Sequence, residues 1–457
     1  MAAPTTSSRG FWGSRLGFIL AASGSAIGLG NIWRFPYSAG EGGGGVFVVI
    51  YLVFVFAIGL PVLLAELSVG RKTRRNPVGA FKELVPGSMW PVVGGLGVLT
   101  GFGILAFYSV VAGWTVGYLW KALTGAFAVE MTAEQSGALF GELIGDPIQA
   151  IALAGVFLLL TILVVRGGIS GGIERATTIL MPVLLVLLVL LAIRSVTLPG
   201  ASEGLAYLFK PDFSKVTASV VMGALGQALF SLSLGMGAMI TYGSYFPDNE
   251  NLSSSGATVA LFDTGIALLA GIIMFPALFA AGVAPDAGPG LVFVVLPTIF
   301  EAMPLGTVFA VAFYFLLAIA ALTSTISLLE VVVSYFVDEK GWTRNKAAWL
   351  LGAVCFVLAV PSALSQGAVP ALGSESVFGM DWLSLQDTLF GNWSLAIGAL
   401  LLCLFVGWKW GVGPAQASLE TSGHALPLAG AWRFLIRYIC PIAILIVFFQ
   451  MLSAVFG

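Results

Sequence analysis

Two long apolar segments of this chain are interrupted by glycine and serine, and these interruptions restrict its possible folds more than any other feature. The first interruption runs from Ser23 to Asn31, and the second runs from Ser231 to Gly237. A break in a membrane helix frees backbone groups that lipid cannot satisfy, so breaks occur where they line a cavity. Two breaks, one in each half of a chain, are typical of transporters that bind a ligand near the bilayer midplane.

Composition places the chain in a lipid bilayer. Of its 457 residues, 58% are hydrophobic and 9% are charged, which is unlike a soluble domain of this length. The formal net charge of −2 gives no reason to expect a nucleic-acid partner. Cys355, Cys403 and Cys440 lie in apolar segments, where buried thiols are expected and a disulfide is not. His424 stands alone in a polar segment and cannot build a metal site.

Eleven segments are apolar and long enough to cross a bilayer, because a span needs about 20 residues. They lie near residues 15–37, 43–70, 90–124, 148–165, 173–195, 216–246, 257–282, 304–337, 346–362, 389–409 and 432–455. The interrupted segments are the first and the sixth, so they occupy equivalent places in two five-helix repeats. Because five is odd, the second repeat enters from the opposite side. We therefore predict an all-α membrane protein with eleven transmembrane helices: two inverted five-helix repeats with broken first and sixth helices, plus one further helix.

This count predicts the organisation of the chain. The predicted parts are a cytoplasmic segment with the inner gate (1–14), a first repeat (15–195), an outer loop (196–215), a second repeat (216–409), and a loop with the eleventh helix (410–457). Lysine and arginine are concentrated on one side, which indicates that this side is cytoplasmic. We expect a multi-pass protein of the plasma membrane with its N-terminus inside and its C-terminus outside. Residues 291–300 are too few to span and predict a re-entrant or lid segment on the outer face.

A broken helix presents free N–H groups that suit an anion and free carbonyls that suit a cation. Gly28 and Gly30 permit the first break, Asn31 adds a side-chain carbonyl, and Ser231 and Ser233 add hydroxyls at the second. A zwitterionic amino acid together with an alkali cation would use all of these groups. The alternative is that the glycines only allow close helix packing, which is their commonest role in membranes.

Several polar side chains interrupt the remaining apolar segments. Asp263 is a carboxylate inside the seventh segment and predicts a cation ligand or a proton site, the alternative being a carboxyl satisfied by neighbouring hydroxyls. Ala320, Thr323 and Ser324 share one helix face and offer hard oxygens for sodium, although spacing alone favours hydroxyls bonded to the preceding turn. Two further carboxylates in apolar segments have no role that spacing assigns, Glu66 and Glu330.

Three motifs resemble the neurotransmitter:sodium symporter family, in particular its bacterial amino-acid branch, which includes the bacterial leucine transporter. They are Arg9-Gly-Phe-Trp12, Ser25-Ala-Ile-Gly-Leu-Gly-Asn-Ile-Trp-Arg-Phe-Pro36, and Phe230-Ser-Leu-Ser-Leu-Gly-Met-Gly237 followed by Thr241-Tyr242. The resemblance runs from about Arg9 to the last helix. The predicted helix count is similar to that of the shorter bacterial members, which have eleven helices.

The resemblance implies two bound sodium ions. Their ligands would be Ala26, Asn31, Ser231 and Asp263 with the substrate carboxylate at the first site, and Gly24, Ile27, Ala320, Thr323 and Ser324 at the second. The family commonly has asparagine where this chain has Asp263. A fixed carboxylate there can replace the chloride that other members need, so we expect chloride independence, with proton coupling left open.

The resemblance also implies the substrate pocket. Its lining would be Ala26, Leu29, Gly30, Ile104, Tyr108, Phe230, Ser231, Ser233, Met236, Ser324 and Leu328. Monoamine carriers of the family have an aspartate where this chain has Gly28, so the ligand here must supply its own carboxylate. We therefore expect a neutral hydrophobic or aromatic L-amino acid.

Gates are implied in the same way. The expected outer gate is Arg34 with Asp387, below which Tyr108 and Phe230 form an aromatic lid. The expected inner gate is Arg9 with Asp338, beside Trp12. Gly172 and Pro182 match a motif at which the fifth helix unwinds. Without the resemblance, solvated surface charges remain the alternative for Arg34 and Arg9, since exposed pairs contribute little.

The predicted function is sodium-coupled uptake of a neutral amino acid by alternating access, in a monomer or weak oligomer and without enzymatic activity. The alternative is a membrane sensor that binds an amino acid and does not transport it. No ring of like charges, nucleophile–base pair or metal cluster in the sequence favours a channel or a membrane enzyme.

Overall fold

The computed structural model describes residues 10–127, 131–285, 288–301, 303–373 and 379–456, and these parts of the chain are all-α. Within them, nine helices are long and apolar enough to cross a membrane. These helices are Gly45–Thr73, Pro91–Leu123, Pro147–Val165, Ile169–Val196, Leu252–Ala280, Gly306–Lys340, Arg344–Leu364, Trp382–Lys409 and Ala429–Ser453. A tenth candidate span is the pair Arg15–Ala26 and Gly30–Glu41, which bends by 50° between its two parts. We call this pair the first broken helix.

The sixth predicted segment, 216–246, is also divided. It forms Ala218–Ser231 and Ala238–Ser244, with a non-helical connection between them. We call this pair the second broken helix. Both predicted interruptions are therefore observed: the connection at 27–29 lies inside the predicted 23–31, and the connection at 232–237 lies inside the predicted 231–237.

Several predicted helix starts were wrong by a few residues, because polar caps lie upstream of the apolar runs. The helix predicted over 257–282 begins at Leu252, where the Asn251 side chain accepts the Ser254 N–H at 2.9 Å. The helix predicted over 389–409 begins at Trp382, where Asp381 accepts the Ser384 N–H at 3.0 Å. Side-chain acceptors at such positions satisfy the free N–H groups of the first turn, so the helix extends beyond the hydropathy signal.

Short helices outside the predicted spans were missed by the sequence analysis. They are Pro77–Leu84, Ala133–Gly145, Ala201–Phe209, Val295–Glu301 and Val412–Leu419. The predicted outer loop 196–215 contains one of them. The predicted lid, 291–300, is held by two buried tyrosines: Tyr118 donates to the Phe293 carbonyl at 2.7 Å, and Tyr314 donates to the Val292 carbonyl at 2.9 Å.

The first break contains a glycine with little free space around it. A Cβ atom on Gly28 would lie 2.3 Å from Ser324 Oγ and 2.7 Å from Tyr108 Oη. The freed backbone donors find side-chain acceptors: Gly28 N–H donates to Asn31 Oδ1 at 3.1 Å, and Leu29 N–H donates to Tyr108 Oη at 2.9 Å. These bonds satisfy groups that lipid would leave unpaired.

The second break uses left-handed backbone conformations. Ser233, Gly235 and Gly237 have φ values of 54°, 81° and 75°, a region that glycine enters without steric cost. The Gly235 N–H donates to Oε1 of Glu66, a fully buried carboxylate of the helix Gly45–Thr73, at 2.7 Å. A Cβ on Gly235 would lie 2.2 Å from the Leu395 carbonyl, so the break also packs closely against a neighbouring helix.

Burial separates central helices from peripheral ones. In the most apolar stretch of Gly306–Lys340, 89% is buried inside the protein, whereas in the most apolar stretch of Ala429–Ser453 the buried share is 28%. The buried helix packs against Pro91–Leu123 and against the first broken helix. It therefore brings Thr323 and Ser324 to the first break, while the exposed helix presents its side chains to lipid.

Candidate substrate and ion site

One cluster of buried polar side chains joins both broken helices. Asn31 Nδ2 donates to Ser231 Oγ at 3.0 Å and to Asp263 Oδ1 at 2.7 Å. Ser231 Oγ lies 2.9 Å and 2.7 Å from the two carboxylate oxygens of Asp263. All three residues are at most 1% exposed. The structure thus brings together three of the four protein ligands expected for the first sodium ion, and the fourth, Ala26, ends the helix just before the break.

A second group of oxygens surrounds the Ile27 carbonyl. Thr323 Oγ1 and Ser324 Oγ each lie 3.5 Å from this carbonyl oxygen, and Thr323 Oγ1 also lies 3.0 Å from the Ala320 carbonyl. A Cβ on Gly24 would lie 3.2 Å from Thr323 Cβ, so Gly24 is an immediate neighbour. The five residues expected at the second sodium site are therefore adjacent.

The donor set of both groups suits a hard cation. Carboxylate, carbonyl and hydroxyl oxygens are preferred by hard ions, and unwound helix segments provide such oxygens for Na⁺ in transporters. Among the described residues no three His, Cys, Asp or Glu side chains lie together as a transition-metal site would require. The chemistry of the residues present therefore fits sodium.

A small cavity lies between the two breaks. Its volume is about 20 Å³, and its lining is Ser25, Ala26, Gly28, Gly30, Ile104, Tyr108, Phe230, Ser233, Met236, Ser324, Ser327 and Leu328. Nine of the eleven residues expected in the substrate pocket are in this lining. Of the other two, Leu29 lines a second, larger cavity described below, and Ser231 belongs to the cluster with Asp263. Sequence analysis did not single out Ser25 and Ser327 as lining residues, although Ser25 Oγ donates to Ser327 Oγ at 2.7 Å.

A larger cavity of about 310 Å³ adjoins the small one and shares Gly30, Tyr108 and Phe230 with it. The two aromatic side chains therefore stand between the cavities, as a lid would. The Arg34 guanidinium lies over the Phe230 ring, 4.7 Å from its centroid. This contact places the arginine directly above the aromatic pair.

The expected outer pair of Arg34 and Asp387 is not a direct contact in the structure. Arg34 Nη2 donates to Asn392 Oδ1 at 2.9 Å, and Asn392 Nδ2 lies 3.2 Å from the Asp387 carbonyl and 3.4 Å from its Oδ2. Asn392 therefore bridges the two charged residues. The sequence analysis missed it, because an asparagine one turn from an acid carries no signal of its own.

At the expected inner gate, Asp338 accepts two hydrogen bonds from Asn76, from the backbone N–H at 3.0 Å and from Nδ2 at 3.1 Å. The expected partner, Arg9, lies outside the described residues. Trp12 is buried, and its indole N–H donates to the Tyr242 carbonyl at 3.0 Å. The N-terminal segment is thus fastened to the second broken helix.

Glu330, which had no role from spacing, lies in an ion pair at the same end. Arg344 donates two hydrogen bonds to its carboxylate, at 2.6 Å and 2.8 Å, and Tyr245 donates a third at 2.8 Å. The sequence showed Glu330 as a single carboxylate in an apolar segment. It did not show that its partner would be Arg344, the first residue of the next helix.

The expected unwinding segment is already irregular in the structure. Gly172 lies in a π-helical turn, Ile169–Glu174, and Pro182 lies inside the α-helix that follows. The helix begins at Ile169, four residues before the predicted start at 173. A cavity of about 400 Å³ adjoins this turn and is also lined by Asp338 and Arg344. Single π-turns often mark functional positions in helices.

Comparison with known proteins identifies the class to which this fold and site belong. The chain matches the Sodium:neurotransmitter symporter family over residues 9–136 and 144–456. It is 40% identical to the "Uncharacterized sodium-dependent transporter YhdH" of Bacillus subtilis over 443 residues, which cover 97% of each chain. It is 34% identical to an uncharacterized sodium-dependent transporter of Haemophilus influenzae, covering 96% of this chain and 97% of the relative.

Among solved structures, the chain is similar to the crystal structure of MhsT in complex with L-phenylalanine. The TM-score is 0.90 and the sequence identity is 45%, over 97% of this chain and 100% of MhsT. The protein therefore belongs to the sodium:neurotransmitter symporter family. It is a sodium-dependent membrane transporter and not an enzyme, as the motifs predicted.

Proposed function

We propose that this protein takes up a neutral hydrophobic or aromatic L-amino acid together with two sodium ions, by alternating access and without chloride. The observation that carries the proposal is the buried cluster of Asn31, Ser231 and Asp263. It connects the two broken helices through a carboxylate, at distances of 2.7–3.0 Å. A cation bound there would link the two breaks and compensate the buried negative charge.

The substrate class follows from the chemistry around the small cavity. The Leu29 N–H, bonded to Tyr108 Oη at 2.9 Å, and the Gly30 N–H stand at the start of the second half of the first broken helix. This end carries a partial positive charge that suits a carboxylate. Gly28 has no side-chain carboxylate, so the pocket has no acidic group at this position to pair with an amine that lacks its own carboxylate. The side chains of Ile104, Met236 and Leu328 are apolar and favour an apolar substrate side chain. MhsT, with its bound L-phenylalanine, supports the same class.

The topology remains part of the proposal. Counting the second broken helix with the nine long helices and the first broken helix gives eleven spans, divided into the parts 1–14, 15–195, 196–215, 216–409 and 410–457. In this arrangement the repeats are inverted, the N-terminus is cytoplasmic and the C-terminus is external. The arginine and lysine residues of the loop 71–75 support that orientation.

Transport would use the two cavities in turn. Substrate binding draws Phe230 and Arg34 toward the Asn392–Asp387 pair and closes the outer side. Departure of the ion at Thr323 and Ser324 loosens the turn at Gly172 and opens the inner side. Glycine flexibility and the missing N–H of Pro182 make this turn easy to unwind.

Uptake of radiolabelled amino acids into proteoliposomes tests the proposal. We expect an inward sodium gradient to stimulate accumulation of phenylalanine or leucine at least tenfold over a potassium control, with gluconate in place of chloride. The lack of sodium stimulation for every neutral amino acid would refute symport. Sodium-dependent binding without accumulation would instead favour the sensor.

A further inference from the structure

A cluster of aromatic and cationic side chains lies outside the transport site, where Trp382–Lys409 ends and Ala429–Ser453 begins. The guanidinium of Arg437 lies 4.5 Å from the ring centroid of Trp408 and 5.9 Å from that of Tyr438. The two rings meet edge to face at 5.6 Å and 89°. The Trp408 indole N–H donates to the Arg437 carbonyl at 3.2 Å. We call these three residues the Trp408–Arg437 cluster.

Two irregular helix turns bring the cluster together. Trp408 lies in the π-helical turn Phe405–Lys409, and Arg437 and Tyr438 lie in the π-helical turn Leu435–Ile439. The turns pack against each other, and a Cβ on Gly407 would lie only 3.2 Å from Arg437 Cα. Neither turn lines the cavities of the transport site, so transport geometry does not explain them.

The cluster faces the surroundings of the protein. Trp408 is 55% exposed, and Tyr438, in the span with the smallest buried share of the nine, is 41% exposed. Exposed Lys409 follows Trp408 in the sequence. Tryptophan, tyrosine and basic residues at the end of a span are typical of the boundary between hydrocarbon and headgroups.

Arg437 has donors that the described part of the protein does not use. Its Nε is buried without a hydrogen-bond acceptor, and no carboxylate of the described residues lies within 4 Å of its guanidinium. Its neighbour Arg433, by contrast, donates to Gln416 Oε1 at 2.6 Å. Glu420, the acid near Arg433, is also engaged: it accepts the Leu426 N–H at 2.8 Å, a bond that lowers the pKa of its carboxyl.

These features specify an acceptor. Rings over the face of a guanidinium leave its in-plane N–H groups for an oxyanion, which they bind in pairs. The guanidinium donates to no acceptor in the described part of the protein, and of its nitrogens only Nε is buried without a partner, so its two Nη groups are left for an external oxyanion. The exposed apolar side chains next to the cluster, including Phe434 and Ile442, suit acyl chains. Basic pockets between spans on one membrane face bind anionic headgroups in this way.

We propose that the Trp408–Arg437 cluster binds the phosphate group of an anionic phospholipid. In the topology proposed above, this lipid belongs to the cytoplasmic leaflet. The site does not depend on sodium coupling or on the amino-acid substrate, and its test measures lipid retention and not uptake. Failure of one proposal therefore leaves the other standing.

Native mass spectrometry of the full chain, titrated with phosphatidylglycerol or phosphatidylcholine, tests the proposal. We expect selective retention of phosphatidylglycerol, weakened about fivefold by Arg437→Gln, as the loss of one basic contact predicts. Arg194→Gln is the matched control, because Arg194 also lies over an aromatic ring, Phe309 at 5.8 Å, and belongs to another span. It should retain the lipid as the unchanged protein does.

Arg437→Lys keeps the charge without the planar fork and should weaken retention by a smaller factor, about twofold; it carries the test if Arg437→Gln does not fold. Equal retention in the unchanged protein and in the Arg437 variants would overturn the proposal, as would an equal loss in Arg194→Gln. Inorganic phosphate that displaces phosphatidylglycerol at equal concentration would show a site for free phosphate and would overturn the assignment to lipid.

Discussion

At the scale of single residues, Asp263 is the most unusual side chain of the site. Its carboxylate is 0% exposed and accepts hydrogen bonds from Asn31 and Ser231, which are both neutral. Among the described residues, no lysine or arginine lies within 4 Å of it. A buried carboxylate without a cationic partner is costly. Under the proposed function, sodium bound beside Asp263 would remove this cost.

Replacing Asp263 by asparagine tests this role. The variant Asp263→Asn keeps the size and the hydrogen-bonding reach of the side chain but removes its charge. We expect uptake in gluconate to fall at least tenfold, and chloride to restore part of it, because an added anion can replace the lost charge. The measurement is proteoliposome uptake in matched chloride and gluconate buffers. Unchanged chloride-free uptake would show that the carboxylate does not substitute for an anion.

At the scale of secondary-structure elements, the first broken helix is held at both ends of its N-terminal half. At the break, Tyr108 accepts the Leu29 N–H. At the N-terminal start, Glu174 accepts the Gly13 N–H at 2.7 Å and the Ser14 hydroxyl at 3.2 Å. Glu174 ends the π-helical turn that contains Gly172. Unwinding of that turn would therefore release the start of the first broken helix as well.

Gly17 makes this contact testable. A Cβ there would lie 1.8 Å from Glu174 Oε1, so Gly17→Ala must displace the carboxylate. We expect faster hydrogen–deuterium exchange in residues 10–17 of Gly17→Ala, and a similar effect in Glu174→Ala. Gly95→Ala is the matched control, because it also changes a helical glycine and its Cβ would meet nothing within 4 Å. Equal exchange in all four proteins would contradict the contact.

At the scale of the whole molecule, a buried ion pair joins several helices at the end that carries Asp338. Glu330 is 0% exposed and receives two hydrogen bonds from Arg344 and one from Tyr245. These residues belong to Gly306–Lys340, to Arg344–Leu364 and to the end of the second broken helix. One carboxylate thus ties three separate parts of the protein together.

Removing one partner of this pair should destabilise the whole protein. We expect Arg344→Gln to cost about 3–5 kcal/mol, since it leaves a buried charge uncompensated. Its melting temperature in detergent should fall clearly, and the double variant with Glu330→Gln should recover part of the loss. Lys346→Gln, an exposed change two residues away, should leave the melting temperature nearly unchanged. A single variant as stable as the control would contradict a structural role of the pair.

The sequence predicted much of this architecture because lipid leaves few alternatives. A helix must satisfy its own backbone, so apolar length located the spans and glycine located the breaks. The cluster of Asn31, Ser231 and Asp263 joins residues that were each recognisable in their own segment. The predicted helix starts were less accurate, because capping residues such as Asn251 lie in polar sequence that hydropathy does not mark as helical.

Contacts between distant segments were the part that sequence could not supply. Asn392 bridges Arg34 and Asp387, and Glu66 accepts the Gly235 N–H, but a single polar residue does not indicate its partner. Glu174 had no predicted role, because its contact with Gly13 joins residues 161 positions apart. Such pairings depend on packing that no local pattern encodes.

The way the backbone breaks are satisfied determines which pocket positions are free to change during evolution. Tyr108 lines the pocket and also accepts a backbone N–H, and Ser233 lines it while donating to the Ser25 carbonyl at 2.9 Å. Selection for a new substrate cannot alter these two without damaging the scaffold. Ile104 and Leu328 contribute only apolar surface to the same cavity. Divergence of substrate preference, in nature or in laboratory selection, should therefore accumulate at such apolar positions first.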